Sequence, residues 1–196
     1  MILTSAQLAA IKADILANSD LNVFPNNSDG NVEVAKLYNL FASPDFYVFR
    51  SNIPPAEIFD QVTWANYTPA GVADLTNAAL VTARSQLCQG KQFNLQIMLQ
   101  GQSTFNAGRA TLRAGLNDAT TALPSNEDGS TRSGGWTNIL PILRRLGTRI
   151  EKLFAVQTSG VGVAGGDPLG ATTNPALLVV EGNISYQQVT QARELP

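Results

Sequence analysis

Residues 136–157 read Trp-Thr-Asn-Ile-Leu-Pro-Ile-Leu-Arg-Arg-Leu-Gly-Thr-Arg-Ile-Glu-Lys-Leu-Phe-Ala-Val-Gln. Large apolar side chains recur in this stretch at alternating spacings of four and three residues, which are Ile139, Leu143, Leu146, Ile150 and Leu153. This spacing places them on one side of a helix, so the stretch predicts one long amphipathic helix. Basic side chains follow the other side at helical spacing, with Arg145, Arg149 and Lys152 in line and Arg144 beside them.

The chain after this helix changes character. Residues 158–175 are rich in glycine and proline, which is typical of a flexible linker. Residues 176–180, Ala-Leu-Leu-Val-Val, then predict a short β-strand, and a polar tail follows to residue 196. The predicted organisation is a helical body over residues 1–157, a linker over 158–175 and a C-terminal arm over 176–196.

The predicted strand needs a partner. A helical body has no other strand to pair with it, apart from residues 46–50 or 161–164 of the same chain. Unpaired backbone groups invite pairing with another chain. We therefore predict a partner-binding arm, with pairing inside the chain as the alternative; its residues are Leu177, Leu178, Val179, Val180, Ile184 and Tyr186.

Residues 1–135 carry further helix signals. The predicted starts are the N-caps Thr4 or Ser5 and Ser28 or Asp29, and the prolines of Pro54-Pro55 and Thr68-Pro69. The second helix is predicted to run past Phe41 to Ser43-Pro44. The helix after Thr68-Pro69 is predicted to stop at Gly90, and helices over 91–100 and 104–122 to follow. The predicted fold is an all-α, bundle-like domain of five to seven helices with an extended C-terminal arm; residues 46–49 predict one short extended piece.

Charge is sparse and unevenly distributed. Charged residues make up 14% of the chain, against about 25% in an average soluble domain. Residues 1–83 hold three basic and eight acidic side chains, whereas residues 84–152 hold nine basic and four acidic ones. Opposite charge on two parts of one chain favours head-to-tail contact between copies, which closes into a ring when the rotation allows. The alternative is that both sets are solvated faces of a monomer.

The composition argues against most enzymes. The chain contains no histidine and a single cysteine, Cys88, so a metal centre or a serine- or cysteine-protease site is not expected. The glycines of residues 160–166 lack the lysine of a phosphate-binding loop. The acidic pairs Glu57 with Asp60 and Glu127 with Asp128 are expected to be solvated. We expect no catalytic residue, no cofactor, no metal and, without a long apolar run, no contact with a membrane.

One set of residues leaves three interpretations open. Arginines on helix faces can neutralise DNA phosphates without reading the sequence, they can form salt bridges between subunits, or they can be solvated. The first two interpretations place the set on an intersubunit or channel-facing surface. Its members are Arg109, Arg113, Arg144, Arg145, Arg149 and Lys152.

Three segments together resemble a known family. They are Ala42-Ser-Pro-Asp-Phe-Tyr-Val-Phe-Arg50, Arg149-Ile-Glu-Lys-Leu-Phe-Ala155 and Val180-Glu-Gly-Asn-Ile-Ser-Tyr-Gln-Gln-Val189. In this order they resemble a family of small tailed-bacteriophage and prophage proteins encoded among virion structural genes. The chain departs from that pattern in residues 73–101, which are less aromatic, and in longer loops at 124–135 and 160–175.

The resemblance implies a non-enzymatic structural protein of the phage neck or tail, assembled in the host cytoplasm. The predicted all-α body with an extended C-terminal arm is similar to head-to-tail adaptors, also called connectors. Copies of these proteins form a ring, such as a dodecamer, between portal and tail around the DNA channel. The implied partners are copies of itself, the portal and tail proteins, and packaged DNA without sequence preference. The alternatives are a tail terminator, a minor tail protein or a capsid decoration protein of the same particle, or a cytoplasmic DNA-binding accessory protein.

Overall fold

The computed structural model describes residues 2–68, 78–125 and 130–196. The fold is mostly α, with about 51% of the residues in helices and a small two-stranded sheet. The helices of the described ranges are α1 (Ser5–Ala17), α2 (Ser19–Asn22), α3 (Ser28–Asn39), α4 (Pro55–Phe59), α5 (Ala78–Leu99), α6 (Ala110–Thr120), α7 (Trp136–Ile142), α8 (Arg149–Phe154) and α9 (Tyr186–Glu194). A 3₁₀ turn covers Trp64–Tyr67, and the strands are β1 (Tyr47–Phe49) and β2 (Arg144–Leu146).

The long helix predicted for residues 136–157 is wrong. The stretch forms α7, strand β2 and α8. Pro141 has no N–H for the helical hydrogen bonds and lies in the last turn of α7. Thr148 then starts a new helix with a capping box: its Oγ1 accepts from the Glu151 N–H, and Glu151 Oε2 accepts from the Thr148 N–H at 2.9 Å. These local signals override the apolar period.

The chain divides into two compact units. The terminal unit comprises Met1–Val48, Leu146–Gln157 and Ala164–Pro196, and the middle unit comprises Phe49–Arg145 and Thr158–Val163. The predicted boundaries at residues 157 and 175 differ from these, since residues of the glycine-rich stretch belong to both units. That stretch is folded: the Tyr47 N–H donates to Gly170 O at 2.7 Å, and Asn174 Nδ2 donates to Asp167 O at 2.7 Å.

The terminal unit has the C-terminal helix in its core. Helix α9 packs against α1 and α3. Its Val189 and Ala192 are fully buried, together with Ile11 and Val34. Ser185 begins the helix with a capping box to Gln188. The polar tail predicted for these residues is therefore wrong, because its few apolar residues recur at helical spacing behind a capping signal.

Residues 176–180 do not form the predicted strand. Ala176 makes a parallel bridge with Val48, and Leu177 makes an antiparallel bridge with Val156. Both partners belong to the same chain, so the pairing is the intrachain alternative of the sequence analysis. Val179 and Val180 bend away from this pairing, and Gly182 follows with φ 103°.

The middle unit is built on α5 and α6, which pack along each other. Its core includes Ile53, Leu95, Leu99, Leu116 and Ile139, all buried. The predicted helix stop at Gly90 is wrong: this residue lies inside the 22-residue α5. One glycine costs a helix about 1 kcal/mol relative to alanine, and the buried face of α5 outweighs that cost. The predicted start at Thr68-Pro69 lies outside the described residues from 69 onward, and the predicted stop at Gly101 is confirmed, with φ 73°.

Candidate interaction surfaces

The six basic residues predicted to share one surface lie on different elements. Arg109 precedes α6 and Arg113 lies within it, Arg144 and Arg145 form β2, and Arg149 and Lys152 lie on α8. The division of residues 136–157 into separate elements removes the continuous basic helix face that the sequence predicted. Arg109 and Lys152 are exposed, whereas Arg144 and Arg145 are half-buried.

Arg113 is fully buried in the middle unit, not on the surface where the sequence placed it. Its guanidinium donates to the carbonyl oxygens of Ala107 at 2.6 Å, Ser159 at 2.6 Å and Val161 at 2.7 Å. It also lies over the Phe49 ring, 4.1 Å from the centroid. Burial lowers the pKa of this guanidinium from its usual value. Arg113 thus holds residues 158–163 against α6 and is not exposed to a phosphate or a partner.

Arg149 is engaged within the terminal unit. Its guanidinium forms an ion pair with Asp20, and its Nη2 lies 3.9 Å from Asp14 Oδ2. The hydrogen bond from Arg149 lowers the pKa of the Asp20 carboxyl. Burial, followed by the hydrogen bond to Asp14, raises the pKa of Tyr38, whose ring lies 5.7 Å from the Arg149 guanidinium carbon. This side chain makes salt bridges inside its own chain.

The predicted arm residues fall into three groups. Val180 and Ile184 are buried, Leu177 and Leu178 are half-buried, and Val179 and Tyr186 are exposed. The Ile184 N–H donates to Asn39 Oδ1, and Asn39 Nδ2 donates back to Ile184 O, both at 2.9 Å. Most of this segment therefore packs on its own unit. Val179 and Tyr186 are the members that present large exposed surface to solvent.

A cleft of about 610 Å³ opens in the terminal unit. Its walls combine apolar, polar and charged side chains from α1, α2, α3 and α8, from the junction of α1 and α2, and from the segment after α3: Asp14, Asn18, Asp20, Leu37, Leu40, Phe41, Ala42, Ser43, Arg149, Lys152 and Leu153. Phe41 is 66% exposed although the sequence predicted it inside a helix. The correction follows from the end of α3 at Asn39, two residues earlier.

Phe41 also belongs to an open backbone edge. The Arg149 N–H donates to Leu40 O at 2.9 Å, and the Ala42 N–H donates to Gly147 O at 3.0 Å. In this antiparallel pattern the N–H and C=O of Phe41 point away from its partner Thr148. An extended chain could add to such an edge.

Helix α5 exposes a second apolar surface, in the middle unit. Leu80, Leu87, Phe93 and Ile97 are 44%, 51%, 60% and 55% exposed. Sequence reasoning missed this face because it divided the segment at Gly90. The signal was present: residues 80, 83, 87, 90, 94 and 97 alternate at spacings of three and four, as in a helix-packing seam.

The described residues contain no group of three or more side chains that could hold a metal ion, and no helix among them is long and apolar enough to cross a membrane.

Of the two acidic pairs considered from the sequence, the structure describes one, Glu57 with Asp60. Glu57 forms an ion pair with Arg50 at 2.6 Å, which lowers the pKa of its carboxyl. Glu127 and Asp128 lie outside the described residues.

Comparison of the chain with protein-family models, curated proteins and solved structures gives no match.

Proposed function

We propose that this protein is a non-enzymatic structural component of a tailed-phage virion, a head-to-tail adaptor whose copies form a ring between portal and tail. The observation that carries the proposal is that segments of the virion-protein resemblance build the cleft of the terminal unit. Ala42 and Ser43 come from the first segment, and Arg149, Lys152 and Leu153 come from the second. The third segment contacts the second, since the Gly182 N–H donates to Glu151 Oε1 at 3.2 Å.

The cleft has the chemistry of a protein-docking site. Leu40 and Phe41 offer exposed apolar surface, and Lys152 adds a cation that is itself exposed. The open edge at Phe41 offers backbone hydrogen bonds to an extended segment. In the proposed ring this cleft receives a segment of the portal or of an adjacent copy, and the exposed Val179 and Tyr186 contribute further contacts.

The proposal also defines what happens to the basic residues. Arg109 and Lys152 are the exposed members of the predicted set, and Lys152 lines the docking cleft, so Arg109 would carry any contact with the DNA channel. Arg113 and Arg149 stabilise the fold instead. DNA contact by one residue per copy gains its strength from repetition around a ring.

The test uses the phage or prophage that encodes the gene. Deletion of the gene is expected to leave DNA-filled heads and separate tails, and a plasmid copy is expected to restore joined particles. Phe41→Asp should reduce the amount of the protein in purified particles at least tenfold without unfolding it, because Phe41 is exposed. Val23→Asp is the matched control, since Val23 is 72% exposed in the same unit and does not line the cleft.

Full, infectious particles from the deletion mutant, or purified virions that lack the protein, would contradict the proposal.

The position of the protein in the particle distinguishes the adaptor role from the alternatives. A ring beneath the portal supports the adaptor, a ring at the top of the tail indicates a terminator, and copies on the shell indicate decoration. Salt-sensitive binding to duplex DNA, with no incorporation into particles, indicates the DNA-binding accessory role.

A further inference from the structure

We infer that the exposed seam of α5 binds the same seam of a second copy in an antiparallel, twofold-symmetric contact. The seam consists of residues 80, 83, 87, 90, 94 and 97, which are Leu, Ala, Leu, Gly, Asn and Ile, and all six are exposed. The inference does not rest on the proposed function.

The helix has a separate face for its own core. Cys88, Leu95 and Leu99 are buried against the middle unit, and they lie on the other side of α5 from the seam. The apolar residues of the seam are therefore not needed to hold α5 in place. They leave exposed apolar side chains along about 26 Å of helix, where a second helix can contact them.

The seam is self-complementary when two copies run in opposite directions. About a centre between residues 88 and 89, Leu80 of one copy faces Ile97 of the other, and Ala83 faces Asn94. At the middle, Leu87 faces Gly90, so that a large side chain meets the residue that has none. A twofold axis makes each of these pairs occur twice, as an isologous contact requires.

Gly90 supports the close approach. An added Cβ at this position would meet no atom of the described residues within 4 Å, and the φ of Gly90 does not lie in the left-handed region. The described part of the monomer therefore gives no reason for glycine here, although glycine weakens a helix interior relative to alanine. A second helix that packs closely at this point would give one.

The seam itself carries no charge. None of the six seam residues is ionisable. Lys91, on the flank, forms an ion pair with Asp118, whose Oδ1 lies 3.1 Å from the Lys91 Nζ. In the antiparallel arrangement this pair lies on the flank that faces Arg84 of the other copy, so Arg84 meets a carboxylate as well as a cation.

The area of the seam sets the expected strength. A strip of about 26 Å by roughly 10 Å on each copy gives about 500 Å² in all, well below the 1,200–2,000 Å² of a standard stable interface. We therefore expect dimers in the range of tens to hundreds of micromolar protein. A twofold contact cannot repeat around a ring whose copies all point the same way, so this contact belongs to the free protein.

The first test is the mass of the purified protein by sedimentation equilibrium between about 10 and 500 micromolar. The expected result is a shift from monomer to dimer, with the dissociation constant raised at least tenfold in Leu87→Glu. Gln89→Glu is the matched control, because Gln89 is also exposed on α5 but lies outside the seam. A protein that stays monomeric up to 500 micromolar, or a Leu87→Glu variant that dimerises as well as the control, overturns the inference.

The second test fixes the direction of the helices. Leu80→Cys and Ile97→Cys variants are mixed and oxidised; the antiparallel contact predicts mainly the mixed disulfide between them. The parent chain is the control, since its Cys88 is buried and burial raises the pKa of the thiol. A preference for disulfides between two copies of one variant overturns the antiparallel arrangement. Incorporation of Leu87→Glu into particles would be unaffected, which separates this inference from the proposed function.

Discussion

The guanidinium carbon of Arg113 lies 4.1 Å from the centroid of the Phe49 ring. The same guanidinium donates hydrogen bonds to carbonyl oxygens on both sides of it, at Ala107 and at Ser159 and Val161. The aliphatic part of Arg113 therefore fills a position in the core, and its guanidinium stacks on the Phe49 ring. The same guanidinium joins, by hydrogen bonds, backbone segments that have no regular structure.

Arg113→Ala is expected to destabilise the middle unit by about 2–4 kcal/mol, because it leaves a cavity beside Phe49 and removes the donors for several carbonyl groups. Urea unfolding followed by tryptophan fluorescence measures the change. Arg109→Ala, one helical turn earlier and exposed, is the control and should change the free energy of unfolding by less than about 0.5 kcal/mol. Equal effects of the two substitutions would show that the buried hydrogen bonds do not contribute.

Removal of residues 185–196 is expected to unfold the terminal unit. Val189 and Ala192 are fully buried there, and the Arg193 guanidinium donates to Pro25 O and Asn31 Oδ1, each at 2.9 Å. Helical circular dichroism and the thermal transition of the truncated chain measure the loss. Gln187→Ala changes an exposed residue of the same helix and serves as the control. A truncated chain with an unchanged transition would mean that α9 is dispensable for the fold.

Tyr67→Phe is expected to reduce the sensitivity of the protein to alkali. Burial raises the pKa of the Tyr67 hydroxyl to about 12, and the hydroxyl donates to Ala119 O at 2.8 Å. Because the pKa of the folded state lies above the usual value of about 10, folding favours the neutral phenol. That stabilisation is complete below pH 10 and is lost as the pH rises towards 12.

The variant should therefore be less stable than the parent at pH 8 by about 1 kcal/mol, the worth of the hydrogen bond. The difference should shrink between pH 10 and 12. Urea unfolding at both ends of this range gives the comparison. A difference that stays constant with pH would show that Tyr67 does not titrate with a raised pKa.

Asp20→Asn is expected to remove an acid-sensitive contribution to stability. The ion pair with Arg149 lowers the pKa of Asp20 in the folded state, so its contribution is present above pH 4 and is lost as the pH falls through the lowered pKa. Asp20 is largely exposed, so the effect at pH 7 should not exceed about 1 kcal/mol and should decrease with salt. Unfolding at pH 7 and pH 3 should show the variant and the parent converging at the lower pH.

Gly90→Ala is expected to stabilise the protein by about 0.5–1 kcal/mol at low protein concentration, because alanine is the better helix former and its Cβ would meet none of the described residues. Gly30→Ala is the opposite case. A Cβ there would lie 2.0 Å from Pro25 O, so the turn before α3 would have to move. Thermal unfolding should show the two substitutions shifting the midpoint in opposite directions.

The sequence by itself determined the features that depend on neighbouring residues. The Thr4 cap of α1, the short extended piece at residues 46–49 and the end of α5 at Gly101 follow from local chemistry, and all three are confirmed. The mostly helical composition is confirmed for the same reason, since capping and periodicity act over a few residues.

Tertiary structure decided which surface each element buries. The apolar period through residues 139–153 predicted one helix, but the burial of Leu143 and Ile150 in separate units is achieved by two helices and a strand. The sequence predicted Arg113 to be a surface cation, because two of its carbonyl partners, Ser159 and Val161, lie more than 40 residues later in the chain. The C-terminal segment looked like a free arm because its apolar residues have no partner nearby in sequence. It folds back because burial depends on contacts between residues far apart in the chain, which local patterns do not specify.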